Sequence, residues 1–267
     1  MNGITSKVDG LVVRPSGVWI KQKYYYLKRY LDIFSKGMKN KWAGNLTYID
    51  LFAGPGRCLI ESTNQEENGS ALIALQYDFK KYVFTEESTE LIRALEKRCK
   101  DSPKITKIKF LEGNCNTIVD KITPEVDPAG LNLIFIDPTG IDIHYKTIEK
   151  IAKGKRADLL INVQLGMDIT RNFLSYKKKG DTSKLGLFLG NNVDWNELES
   201  PRDAVKLHKK RIGELSYKTV EFQDIAIKNT RNAPMYFLLF ASKNPRGLDF
   251  WKEITKKDHS GQFEFSY

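Results

Sequence analysis

Apolar and polar positions alternate along this chain with two different periods. Trp19, Tyr26, Leu27, Tyr30, Leu31 and Phe34 recur at helical spacing with lysines between them, which predicts an amphipathic lead-in helix over residues 19–34. Residues 46–51 then form a short β-rich run that stops at Phe52-Ala53-Gly54-Pro55-Gly56, a stretch able to continue as neither strand nor helix. Residues 57–68 read as a polar loop. Gly69-Ser70 leads into residues 71–76, where the serine suits an N-cap and the alanines and leucines suit a helix. The alternation continues with strands over 81–85, 108–111, 131–136 and 158–163, and helices over 88–100, 117–122 and 145–152. Nearly continuous apolar strands separated by helices predict a parallel sheet covered on both faces.

Beyond the fifth strand, residues 165–216 exceed the single crossover helix that a parallel connection needs, so an inserted helical cap is expected there. Residues 219–227 and 235–241 read as two final strands joined by a short polar turn, an antiparallel hairpin at the sheet edge. The predicted class is α/β: a doubly wound, mostly parallel seven-stranded sheet, Rossmann-like, with the edge hairpin and the cap. Its predicted divisions are a helical lead-in (1–45), the α/β domain (46–247) and a C-terminal tail (248–267).

The composition narrows the function classes. An apolar share of 41% excludes a disordered or fibrous chain. No apolar run approaches the ~20 residues needed to cross a bilayer, and no signal-like apolar segment opens the chain, so a cytoplasmic location is expected. Cys58, Cys99 and Cys115 are far apart and lack a C-x-x-C pair, and the three histidines are equally scattered, so neither a disulfide framework nor a metal site is predicted. Lysine and arginine exceed aspartate and glutamate by 43 − 33 = 10. Clusters at Lys177-Lys178-Lys179 and over 206–211 could draw a polyanion such as nucleic acid, or could simply solvate helix faces.

In a doubly wound sheet the ligand lies beyond the carboxyl ends of the strands. The residues there form a polar series: Asp50, Glu86, Asn114 and Asp137. Gly54 and Gly56 after Asp50 permit a tight turn and close approach of a ligand. A dinucleotide fingerprint fails because position 59 is leucine, and no phosphate-loop motif occurs anywhere. A nucleoside without phosphates fits better, with Glu86 accepting hydrogen bonds from a ribose diol.

Four segments carry a family resemblance: Tyr48-Ile49-Asp50-Leu51-Phe52-Ala53-Gly54-Pro55-Gly56-Arg57, Phe135-Ile136-Asp137-Pro138-Thr139-Gly140, Leu160-Ile161-Asn162-Val163-Gln164 and Trp251-Lys252-Glu253-Ile254-Thr255. Together they resemble the three-Cys-motif partner proteins, a branch of the class I S-adenosylmethionine-dependent methyltransferase fold found beside a radical-SAM-like protein. The resemblance implies S-adenosylmethionine as cofactor and methyl transfer as activity; the charge excess makes nucleic acid the expected acceptor. It implies that Asp50, Phe52, Gly54 and Gly56 hold the methionine end, Glu86 the ribose, and Asn114 the adenine edge. Asp137, with Pro138 and Asn162 as further catalytic residues, would lie where cofactor and acceptor meet. A docking role beside a radical-SAM-like partner is the alternative. One departure bears on the acceptor: Asp137-Pro138-Thr139-Gly140 resembles the [DN]-P-P-[YF] element of amino-methylating enzymes, but Thr139 and Gly140 replace its second proline and its aromatic ring.

Several residues keep two readings. Asn162 and Gln164 could contact a base edge or cap their strand. Arg171 could hold a phosphate or pair with Asp168, and Arg57 could face the site or be a solvated loop cation.

Overall fold

In the computed structural model, which describes residues 4–217, 225–228 and 234–257, the chain forms β1 (Arg14–Ser16), α1 (Ile20–Lys39), β2 (Leu46–Asp50), β3 (Arg57–Ile60), β4 (Gln65–Asn68), α2 (Ser70–Ala74), β5 (Lys81–Glu86) and α3 (Thr89–Cys99). There follow β6 (Ile108–Glu112), α4 (Val119–Ile122), β7 (Leu131–Ile136), α5 (Tyr145–Ala152), β8 (Ala157–Val163), α6 (Thr170–Lys179), α7 (Lys184–Leu189), α8 (Pro201–Glu214), β9 (Ile225–Lys228), β10 (Pro234–Ala241) and α9 (Pro245–Thr255). The main sheet has seven strands in the order β6-β5-β2-β7-β8-β10-β9. The first five run parallel, and β10 runs antiparallel to both β8 and β9. This is the doubly wound sheet with an antiparallel edge hairpin that the alternation predicts. The expected final strands begin at 219, but residues 219–224 lie outside the described residues.

The near-continuous apolar strands follow from burial on both faces. Along β7, Leu133 and Phe135 point into one core with α1 and α9, while Ile134 and Ile136 point into the other with α4 and α5. The lead-in helix runs past its expected end to Lys39. On the same side α9 places Trp251 against Phe240, with ring centroids 4.9 Å apart, and against Tyr30. The 248–267 segment therefore starts inside the core, and residues 258–267 lie outside the described residues. The 165–216 segment contains a π-helical turn (Leu165–Ile169), α6, α7 and α8.

One expectation needs correcting. Residues 57–68 are a β-hairpin, not a loop: β3 pairs antiparallel with β4 and parallel with β1, making a separate three-stranded sheet. Its apolar content is slight because only Cys58 and Ile60 face the core, while β4 (Gln-Glu-Glu-Asn) is an edge strand held by backbone pairing. Arg98 from α3 fixes this sheet to the rest of the molecule. Its guanidinium makes two 2.8 Å bonds to Asp9 and donates to the carbonyls of Val12 and Pro55. That contact holds the Asp9 carboxyl down at about 2.

Candidate active site

The sheet order places the topological switch between β2 and β7, where the chain reverses its direction of growth. The two strands are in register, Asp50 opposite Phe135, so the turns that follow them lie side by side.

The first turn is organised by two buried carboxylates. Asp50 accepts from the Phe52 amide at 3.2 Å and also bonds the hydroxyls of Ser70 and Tyr48. Burial among uncharged partners pushes its pKa from the ordinary 3.8 up to about 7. Glu86, at the end of β5, accepts from Gly54 N at 2.9 Å and Ser88 N at 3.0 Å. The two residues thus grip opposite ends of one glycine turn. Gly54 and Gly56 both have positive φ, at 61° and 86°, but for different reasons. A Cβ on Gly56 would stand 2.8 Å from Leu95, whereas a Cβ on Gly54 would meet only the Arg14 guanidinium, at 3.9 Å. Gly56 is packing; Gly54 opens onto free space.

The second turn holds an ion pair. Lys23 Nζ lies 2.5 Å from Asp137 Oδ2, and both side chains are only 9% exposed. Asn162 Nδ2 donates to the other Asp137 oxygen at 2.6 Å, and Gln164 Nε2 donates to the Pro138 carbonyl at 3.2 Å. Tyr24 and Tyr236 flank the ammonium, with centroids 5.3 and 5.6 Å away. Gly140 is a glycine because the Asp168 carboxylate fills its side-chain space: a Cβ there would stand 2.6 Å from Asp168 Oδ2, which accepts from the Ile141 amide. The position that carries an aromatic ring in [DN]-P-P-[YF] is therefore occupied by a carboxylate arriving from the π-helical turn. The Asp137 carboxylate and the Pro138 carbonyl each accept from this chain, and their remaining lone pairs keep capacity for an N–H from an incoming amine.

A cavity of about 370 Å³ opens beside both turns. Phe52, Gly54, Gly56, Arg57, Asp137, Pro138 and Gln164 are among its lining residues, and β1 closes one side with Arg14. Of the other expected cofactor residues, Asp50 lies beneath the wall through Ser70, and Glu86 behind Gly54. Asn114 stands apart in the turn after β6, donating to Glu87 and accepting from the Asn116 amide. Arg57 lies 3.6 Å from carboxylate oxygens of both Asp9 and Glu66. Asp168 is held by Ile141, Asn172 and Tyr176, so its partner is not Arg171, which is exposed on α6. Lys177 donates to the Leu198 carbonyl, while Lys178 and Lys179 are exposed. The cysteines are buried, and burial raises Cys58 to about 11 and Cys99 and Cys115 to about 12. Sequence reasoning assigned no role to Lys23 or Arg98, and read Asp168 only as a possible partner of Arg171. Of these, only Lys23 carried a signal, as a lysine on the apolar face of an amphipathic helix.

No family model matches the chain, and no curated protein matches it in sequence. Solved structures align with it at low identity. Protein LPL1258 from Legionella pneumophila is 11% identical, with 90% of this chain and 94% of that one covered and a TM-score of 0.49. M. jannaschii TYW2 in complex with AdoMet is 12% identical over 78% of this chain and 73% of its own, with a TM-score of 0.41. The O-methyltransferase TomG from Streptomyces achromogenes, in complex with SAM, is 13% identical over 83% and 80%, with a TM-score of 0.43. At these similarities the chemistry rests on the site's own geometry.

Proposed function

We propose that the chain is an S-adenosylmethionine-dependent methyltransferase whose acceptor enters over the Lys23–Asp137 pair. The observation that carries this reading is the meeting, at the switch point, of the glycine turn gripped by Asp50 and Glu86 with the ion-paired turn after β7, both bordering one cavity. The donor set suits the cofactor. Glu86 uses one bond on each oxygen and keeps acceptor capacity for a diol, and the space at Gly54 admits a ligand against the backbone. When bound, S-adenosylmethionine supplies the sulfonium methyl group.

The protein's part is chiefly alignment, because methyl transfer is an in-line displacement. Asn162 and Lys23 fix the Asp137 carboxylate, Gln164 fixes the Pro138 carbonyl, and the aromatic walls Trp19, Tyr24, Phe52 and Tyr236 exclude water from the path between the turns. A nucleic-acid acceptor is favoured by the net charge of +10, with Lys178, Lys179 and Arg171 as exposed phosphate contacts.

A second reading is a docking protein that keeps the fold beside a radical-SAM-like partner, as in the three-Cys-motif partner proteins. It is favoured by Asp50 and Glu86, which are engaged with the chain's own amides and are not among the residues lining the cavity.

Calorimetry with S-adenosylhomocysteine, NAD and ATP tests the cofactor: only the first should bind, and Glu86→Ala should weaken it. Undiminished affinity in that variant removes the ribose role. Incubation with labelled cofactor and tRNA, duplex DNA or single strands tests the acceptor. Cofactor binding without transfer to any of them moves weight to the docking reading.

A further inference from the structure

Arg14, Lys23 and Arg57 are cations lining the cavity, and two of them are ion-paired: Lys23 with Asp137, Arg57 with Asp9 and Glu66. Arg14 is different. It is half-buried, yet its side chain forms no hydrogen bond or ion pair with any described residue. Its place is fixed by the small sheet, where β1 runs parallel to β3 with Arg14 opposite Cys58, so both side chains share the face that lines the cavity. The guanidinium reaches the glycine turn, one Nη lying 3.9 Å from where a Cβ on Gly54 would stand. Arg98 anchors this arrangement from behind by bonding the Val12 and Pro55 carbonyls, one on each side of the gap. A guanidinium drawn partly out of water without a partner is costly, and its planar fork of donors matches an oxyanion in two bonds.

We propose that Arg14 is an oxyanion-binding residue of this cavity, seating a carboxylate or phosphate of the molecule that enters it. The anion has two possible sources: the amino-acid carboxylate of the cofactor, or an acidic group of the acceptor. The first rests on the methyltransferase reading above and the second does not.

Two nucleosides separate the sources. S-adenosylhomocysteine and methylthioadenosine share the adenosine and the sulfur, but only the first has a carboxylate. Calorimetry on the wild type, Arg14→Leu and Arg14→Lys measures both, and inorganic phosphate is titrated onto each protein with S-adenosylhomocysteine present and absent. If the cofactor supplies the anion, Arg14→Leu loses about 10- to 100-fold in affinity for S-adenosylhomocysteine and nothing for methylthioadenosine, while Arg14→Lys recovers part of the loss. If the acceptor supplies it, both nucleosides bind the leucine variant as they bind wild type, and the phosphate affinity falls by a similar factor. The proposal is overturned if all three ligands bind the leucine variant unchanged, or if both nucleosides weaken equally in the leucine and lysine variants. A wild type that binds phosphate but neither nucleoside ends the methyltransferase reading and leaves Arg14 to be judged by phosphate alone; one that binds none of the three ends both.

Discussion

At the end of β2, Asp50 is buried among uncharged donors, whereas on the neighbouring strand Asp137 is held by the ammonium of Lys23. The two turns border the same cavity and their strands are in register. They differ in where their partners come from. The donors to Asp50 lie close by in the chain, at Tyr48, Phe52 and Ser70. The Asp137 turn draws Lys23 from a helix 114 residues earlier and Asn162 from 25 residues later. Glu86 also reaches the first turn from 32 residues beyond Gly54, so both turns need assembled strands, but only the second takes its charge partner from α1, 114 residues away.

The largest test of that contrast removes the distant partner. Lys23→Met should leave the Asp137 carboxylate buried without its counter-ion and lower the unfolding free energy by about 3–5 kcal/mol, read by urea denaturation. Adding Asp137→Asn should recover much of the loss, because the pair then leaves no uncompensated charge. If the double variant is as unstable as the sum of the single ones, the pair is not what holds the turn.

The next test concerns pH and the first turn. The Asp50 carboxyl is raised by burial from the ordinary 3.8 to about 7, so the folded chain binds its proton more tightly than the unfolded chain. That contribution to stability is complete below about pH 4 and is lost as pH rises through about 7. At about 1.4 kcal/mol per unit the loss is roughly 2–4 kcal/mol. Asp50→Asn removes this dependence. Relative to wild type the variant should therefore gain by that amount between pH 4 and pH 8, and a constant difference across the range would show that Asp50 is not the buried acid described.

The same contrast explains what could be read from the amino acids alone. The alternation of apolar strands and helices and the glycine turn after Asp50 are local patterns, and each lies where its period put it; the switch between β2 and β7 depends on the strand order, which no local pattern carries. The β3–β4 hairpin was missed because an edge strand of Gln-Glu-Glu-Asn has no apolar stripe, its order coming from backbone pairing with β3. Lys23 was given no role because a lysine in a helix is ordinarily a solvated one, and only the assembled sheet brings Asp137 within 2.5 Å. Gly140 looked like the mere loss of an aromatic ring. What fills the space is Asp168, and no spacing rule links a strand-end glycine to a π-helical turn beyond the next strand.

A smaller effect separates the two glycines of the first turn. Gly56→Ala should cost about 1–3 kcal/mol, since it combines a left-handed backbone with a Cβ 2.8 Å from Leu95. Gly54→Ala has the backbone strain alone and should cost about 1 kcal/mol. For ligand affinity the order should reverse, because only the Gly54 methyl group enters the open space beside Arg14. Denaturation and S-adenosylhomocysteine calorimetry on both variants decide it, and the same ranking in both measurements would mean that the cofactor does not approach this turn.

Gln164→Leu should have the mildest consequence. It withdraws one neutral donor from the Pro138 carbonyl while keeping most of the side-chain volume, a loss of about 1 kcal/mol by urea denaturation. Its value lies in what the bared carbonyl then does. With Lys23, Asp137 and Asn162 still joined, the second turn should keep its shape, and S-adenosylhomocysteine should bind as it does to wild type. An amine acceptor already finds a second lone pair on this carbonyl in the wild type, so transfer to an amino-bearing substrate should stay within about twofold of wild type. If cofactor affinity falls along with stability instead, Gln164 supports the first turn as well, and the two turns are one mechanical unit.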